Sequence, residues 1–187
     1  EYQKAIEFYQ QSLAITREIG DRGDEAKSYV GLGNVYYSLG EYQKAIEFYQ
    51  QSLAITREIG YRRGEAYSYM GLGSVYDSLG EYQKAIEFYQ QSLAITREIG
   101  DRGGEAKSYM GLGNVYYSLG EYQKAIEFHQ QSLAIKREIG DRGGEANAWF
   151  NLGVTYDKLK RISEAKEAYL QSRELFQALG LAGYVQK

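Results

Sequence analysis

A block of twenty residues, EYQKAIEFYQQSLAITREIG at positions 1–20, returns unchanged at 41–60 and 81–100, and returns at 121–140 with only His129 and Lys136 altered. A fifth, strongly diverged copy starts at Arg161, so the period is 40 residues throughout. Repeats of this length are units that cannot bury an apolar face alone and do so by stacking on their neighbours. A chain written this way is therefore expected to be a one-dimensional array with the same solution repeated along it.

Each copy reads as a helix, here termed B. Tyr42, Ala45, Ile46, Tyr49 and Leu53 fall at the spacing of one helix face, and Phe48, Ser52, Ile55 and Ile59 add a second stripe. Lys44, Glu47, Gln51 and Glu58 occupy the remaining, solvated face. Between copies lies a second helical unit, termed A and read as the shorter one, in which Ala106, Tyr109, Gly113 and Tyr116 share a face flanked by Leu112, Val115 and Leu119. Gly60, Gly100 and Gly140 stand where a left-handed residue would end helix B, and Gly40, Gly80 and Gly120 do the same for helix A. Only short turns remain, so A and B are expected to fold back as antiparallel neighbours. Gly111 and Gly113 weaken helix A, and the expected return is close approach by a neighbouring helix. The segment GLGNVY lacks the third glycine and the preceding strand of a dinucleotide-binding loop.

Composition narrows the function classes. A formal charge of −3 gives no general attraction for phosphate backbones. The absence of cysteine removes disulfides and thiolate metal sites, and no run of some 18 apolar residues exists to span a membrane. His129 is the single histidine and has no second histidine, cysteine or fixed carboxylate beside it. It reads as a packing variant of Tyr49 and Tyr89, and neither a nucleophile–base set nor a metal cluster is evident. No catalytic activity and no cofactor are expected, and a cytoplasmic setting fits best.

The repeat resembles the tetratricopeptide signature. Tyr29 stands at the Trp position, followed by Leu32-Gly33, Tyr36, Ala45, Tyr49 and Ser52, and Trp149, Leu152, Gly153, Tyr156, Ala165 and Tyr169 restate it in the last unit. The 40-residue period and the lack of the usual closing proline, with Arg57 near its position, make the array similar to the extended Leu-Gly-Asn (Pins-like) type, as in Leu32-Gly33-Asn34 and Leu112-Gly113-Asn114. The resemblance implies an all-α solenoid, a right-handed superhelix of about nine helices in antiparallel hairpins, with A helices lining an inner, concave wall. The expected organisation is an orphan helix B at 1–20, repeats at 21–60, 61–100 and 101–140, a diverged capping repeat at 141–179 and a short tail at 180–187.

Helix B barely changes between copies, whereas helix A changes at particular places along one face. These are Lys27/Tyr67/Lys107/Asn147, Val30/Met70/Met110/Phe150, Asn34/Ser74/Asn114/Val154 and Tyr37/Asp77/Tyr117/Asp157. Spacings of 3, 4 and 3 put them on one helix face that packing does not dictate. They coincide with the ligand-contacting positions of tetratricopeptide helices, and are the expected site for an extended peptide or disordered segment of a partner protein. Four A helices about 8–10 Å apart would accommodate about nine extended residues. Asparagine amides can pair with both peptide N–H and C=O, tyrosines give stiff contact area, and methionines give adaptable apolar surface. The mixed charge of Lys27, Lys107, Asp77 and Asp157 disfavours a purely acidic or basic ligand. Val30, Met70, Gly31 and Gly71 stand where a carboxylate clamp for chaperone tails would need basic and amide groups.

Competing readings are drift on a solvated face, recognition of single-stranded RNA, for which the chain lacks a basic stripe, and end-to-end self-assembly through an uncapped first helix. For that last reading the Tyr2, Ile6 and Tyr9 face is the expected contact, as the chain opens directly in helix B without an initiator Met, as an excised piece of a longer array would. Lys166 and Arg173 replace the apolar residues Ile46 and Leu53, which suits a closing helix. Arg22, Arg62, Arg63, Arg102 and Arg142 read as solvated turn residues with some reach toward acidic groups of a ligand.

Overall fold

The computed structural model describes residues 1–180, and the expected tail, apart from Gly180, lies outside them. The described residues form nine α-helices and no strand: α1 Tyr2–Ile19, α2 Arg22–Ser38, α3 Tyr42–Glu58, α4 Arg62–Ser78, α5 Tyr82–Glu98, α6 Arg102–Ser118, α7 Tyr122–Glu138, α8 Arg142–Lys158 and α9 Ile162–Ala178. This is the all-α repeat solenoid anticipated from the period. Helix A is not the shorter element, since α2 and α3 are both 17 residues long. The glycines within it are tolerated along its full length because neighbours pack against them.

Chain reversal is local chemistry. Gly40 takes φ 74°, a conformation open to glycine at little cost, and its N–H donates to the carbonyl of Tyr37 while that of Glu41 donates to Tyr36. The same left-handed turn recurs at the other expected glycines, and Lys160, at φ 61°, is its only non-glycine example among the described residues.

The helices gather into two compact units, residues 1–101 with α1 to α5 and residues from 102 onward with α6 to α9. In the first unit α2 packs on α1 and α3, and α4 packs on α3 and α5. One core joins Ile6, Leu13, Ala26, Tyr29, Leu32 and Ile55, and a second joins Ala45, Ile46, Tyr49, Leu53, Ala66, Leu72 and Val75. In the second unit Ile126, Leu133, Ala148, Leu152, Tyr156 and Ala168 play the same part. Leu119 and Ile59, read as parts of packing stripes, are instead exposed where their helices end.

The first helix corrects an expectation. Ile6 is buried and Tyr9 half-buried against α2, so of the Tyr2/Ile6/Tyr9 stripe those two are used internally and only Tyr2 stays exposed. The exposed apolar surface of α1 lies on its other stripe, at Phe8 (67% exposed), Ile15 (57%) and Ile19 (68%), together with Tyr2 (50%). On α9, Lys166 and Arg173 are exposed where α3 buries Ile46 and Leu53.

A buried carboxylate recurs at the start of each A helix and was not anticipated from sequence. Glu25 receives Arg17 at 3.0 Å and Arg22 at 2.5 Å, and Arg22 reaches on to Glu58 at 2.7 Å. Glu65 is held in the same way by Arg57 at 3.2 Å and by Arg62, which also reaches Glu98 at 2.5 Å. Glu145 is held by Arg137 at 2.8 Å and Arg142 at 3.0 Å. Arg22, Arg62 and Arg142 are therefore engaged with the chain itself, and Arg63 sits 3.4 Å from Asp101. The carboxylate is enclosed while its arginines stay half in water, with Arg57 55% and Arg62 39% exposed, which limits what each pair contributes. Glu65→Gln is expected to cost about 1–2 kcal/mol, since a buried acceptor of two charged donors is lost but both donors can turn to water. Urea unfolding of the two proteins measures this.

Candidate peptide-binding face of the A helices

Each A helix is seated on the ring of a helix-B residue, and that seat determines which of its side chains emerge. The Tyr49 ring, 1% exposed, lies between Gly33 of α2 and Gly71 of α4, where an added Cβ would stand 2.7 and 2.4 Å from it. Tyr9 is seated against Gly31, Tyr89 against Gly73 and Tyr169 against Gly153. The glycines of helix A thus admit aromatic rings and not a neighbouring backbone. Tyr36 stacks on Phe48 at 5.3 Å and Tyr116 on Phe128 at 5.2 Å on another side of the hairpin.

The opposite face carries the sixteen positions singled out above. Lys27, Asn34, Lys107, Asn114, Asn147, Phe150 and Asp157 are exposed. Val30, Tyr37, Tyr67, Ser74, Asp77, Met110, Tyr117 and Val154 are half-buried, and Met70 alone is buried. In the first unit the Tyr37 hydroxyl lies 3.0 Å from the Ser78 hydroxyl, tying α2 to α4. Asn34 is not the free amide expected, because its Oδ1 accepts the Tyr49 hydroxyl at 2.7 Å, leaving the amide nitrogen as its outward donor. Ser74 pairs with Tyr89 at 2.9 Å in the matching place. Burial pushes the Tyr89 phenol up to about 12, and also raises the Asp77 carboxyl and the Tyr67 phenol above their ordinary values.

In the second unit the supporting tyrosine is His129, which is buried and cannot reach Asn114 in that way. Asn114 instead accepts the amide of Asn151 at 3.2 Å, and Asn151 also lies 3.0 Å from the Met110 sulfur. Asn151 was missed from sequence. Its only signal is that it replaces the glycine found at Gly31, Gly71 and Gly111. Lys27 is held at 2.7 Å by Asp24, which raises its pKa and keeps the ammonium charged.

A cavity of about 140 Å³ opens on this face in the first unit, lined by Ala26, Lys27 and Val30 of α2, Ser52 and Thr56 of α3, and Tyr61, Gly64 and Tyr67 at the start of α4. No group of three or more side chains suited to a metal ion occurs among the described residues. None of their helices is long and apolar enough to cross a membrane.

Comparison with known proteins agrees with this geometry. A 37-residue stretch, 20% of this chain and 6% of the relative, is 46% identical to human G-protein-signaling modulator 1, so the chain matches only a small part of that protein. Among solved structures, BtubC from P. vanneervenii is 23% identical with a TM-score of 0.81, over 96% of this chain and 74% of that one. A Rap protein complexed with Competence and Sporulation Factor is 21% identical with a TM-score of 0.86, over 94% of this chain and 49% of that one. At these identities the structural likeness concerns the fold. The tetratricopeptide-repeat model matches residues 1–58, 24–98, 64–138 and 104–178, and the chain belongs to the tetratricopeptide-repeat family.

Proposed function

We propose that this chain is a scaffold that holds an extended segment of a partner protein against the exposed faces of its A helices. Tetratricopeptide-repeat proteins generally serve in protein–protein interaction. The observation that carries the finer reading is the split between the two helix types. Helix B is nearly constant over its first four copies and spends its apolar faces on packing, whereas the four varying positions singled out above come out on one A-helix face, exposed or half-exposed except at Met70, as amides, tyrosines and apolar groups. The outward amide nitrogen of Asn34 and the exposed Asn114 offer hydrogen bonds to peptide backbone, and the half-buried Tyr37 and Tyr117 offer rigid contact area. That a relative of like fold was solved with a bound factor supports a similar use of this fold here. The chain is of the extended, Leu-Gly-Asn kind on this reading, in keeping with the short match to G-protein-signaling modulator 1.

The test is a display library of random peptides of about twelve residues selected on the chain, followed by titration calorimetry of the selected peptides. Asn34→Ala with Asn114→Ala, which removes the amide of either unit, is expected to weaken them about fivefold, at roughly 1 kcal/mol for the hydrogen bond lost. Unchanged affinity would rule the face out. A second reading, self-association, is favoured by the exposed Phe8, Ile15 and Ile19 of α1. Sedimentation of the same double variant separates the two, because self-association through α1 does not involve either asparagine.

A further inference from the structure

The cavity beside Lys27 is lined by residues peculiar to one repeat. Where the other A helices begin with Asp21, Asp101 and Asp141, α4 begins with Tyr61, and where they carry Lys27, Lys107 and Asn147, it carries Tyr67. The first change gives up a helix cap: the Asp21 and Asp141 side chains accept the N–H of Asp24 and of Gly144, and Tyr61 makes no such bond. A local rule broken without local compensation points to another use of the residue. Here the Tyr61 ring is half-buried against the bare Cα of Gly64, where an added Cβ would meet the ring at 2.6 Å and the Thr56 methyl at 2.7 Å.

The second unit contains the same place in a filled state. There Lys136 stands for Thr56 and Asp141 for Tyr61. The Lys136 stem is buried, its Cδ would lie 2.6 Å from a Cβ on Gly144, and its ammonium meets Asp141 at 2.6 Å. The position thus accepts a flexible side chain of leucine-to-lysine length, and the first unit lacks both that side chain and the acid that would hold its charge.

Resting on the reading of the A-helix face as a peptide site, we propose that this cavity is the anchor pocket for one uncharged apolar side chain, such as leucine, methionine or phenylalanine, of the bound partner segment. Its volume of about 140 Å³ is some ten times what one water needs, and its lining is mostly apolar, so filling it with an apolar group is favourable. It is small beside the ~300–1,000 Å³ of small-molecule sites, which matches a single side chain. A cationic side chain is excluded, because the charged Lys27 stands on the rim and Tyr61 replaces the carboxylate. The pocket opens where Lys27, Val30 and Tyr67 emerge, so an anchored side chain would set the register of the whole segment.

The experiment copies the plug that the chain already folds around: Thr56→Lys with Tyr61→Asp, which also restores the missing cap. Methyl NMR with N-acetyl-leucinamide as probe should shift Thr56 and Val30 in the parent and leave Val30 unshifted in the variant, and N-acetyl-glycinamide should shift neither methyl in the parent. Peptides selected on the parent should share one apolar position and bind the plugged variant at least tenfold more weakly. Selected peptides that respond to Asn34→Ala but bind the plugged variant unchanged would leave the face standing and overturn the pocket. Leucinamide shifts at Thr56 and Val30 without any face-binding peptide would overturn both, leaving a site for small amphiphiles.

Discussion

Gly71→Ala is expected to destabilise the first unit by about 2 kcal/mol, although alanine is the better helix former by about 1 kcal/mol. The new methyl would lie 2.4 Å from the Tyr49 ring, which is 1% exposed and closed in by Gly33 on its other side. The ring cannot yield without losing its bond to Asn34. Overpacking of this kind costs about 1–3 kcal/mol, more than the propensity gained. Tyr49→Ala alone should cost about 3–5 kcal/mol through the cavity it leaves. In that background the sign reverses: Gly71→Ala has nothing to strike and should stabilise by about 1 kcal/mol. Denaturant unfolding of the four proteins, with hydrogen exchange of α3 and α4 as the local readout, closes the cycle. Additive effects would show that Tyr49 and Gly71 are not coupled.

Below neutral pH the second unit should lose about 3 kcal/mol of stability through His129 alone. Burial lowers this imidazole from 6.5 to about 4, and its Nδ1 has no hydrogen-bond partner. The folded state binds the proton more weakly than the unfolded chain does, so the neutral form is the stabilising one. That stability is complete above about pH 6.5, falls by about 1.4 kcal/mol per pH unit as acid is added, and is exhausted near pH 4. Glu138 and Asp141, held below their ordinary values by Arg102 and Lys136, add their own losses only at the acid end of this range. Trp149, the single tryptophan, lies in the same unit and reports its unfolding by fluorescence. His129→Tyr should remove the slope between pH 6.5 and 4 and raise stability, since a tyrosine here can donate to Asn114 as Tyr49 does to Asn34. A slope that persists in this variant would show that the histidine is not its source.

Helices and their turns were legible without coordinates, because each depends on short-range periodicity. Apolar spacing marks the faces of helix B, and the glycine at Gly40 states a left-handed turn whatever surrounds it. Less legible were the polar groups whose partners lie far along the chain. Asn34 looked like a free amide, and only the position of Tyr49 on the next helix shows that its oxygen is taken. Nothing in the sequence marks Glu25 and Glu65 as buried, and packing of successive hairpins encloses them.

What this sequence determines by itself is the repeated element, since a helix face and a glycine turn are encoded within about twenty neighbouring residues. What only the tertiary structure decides is which stripe of α1 is covered, why the glycines of helix A exist, and where Tyr61 leaves a cavity that Lys136 fills in the other unit. Those outcomes depend on the shapes and polar atoms that three different helices bring to one point, and no periodicity along a single helix records them.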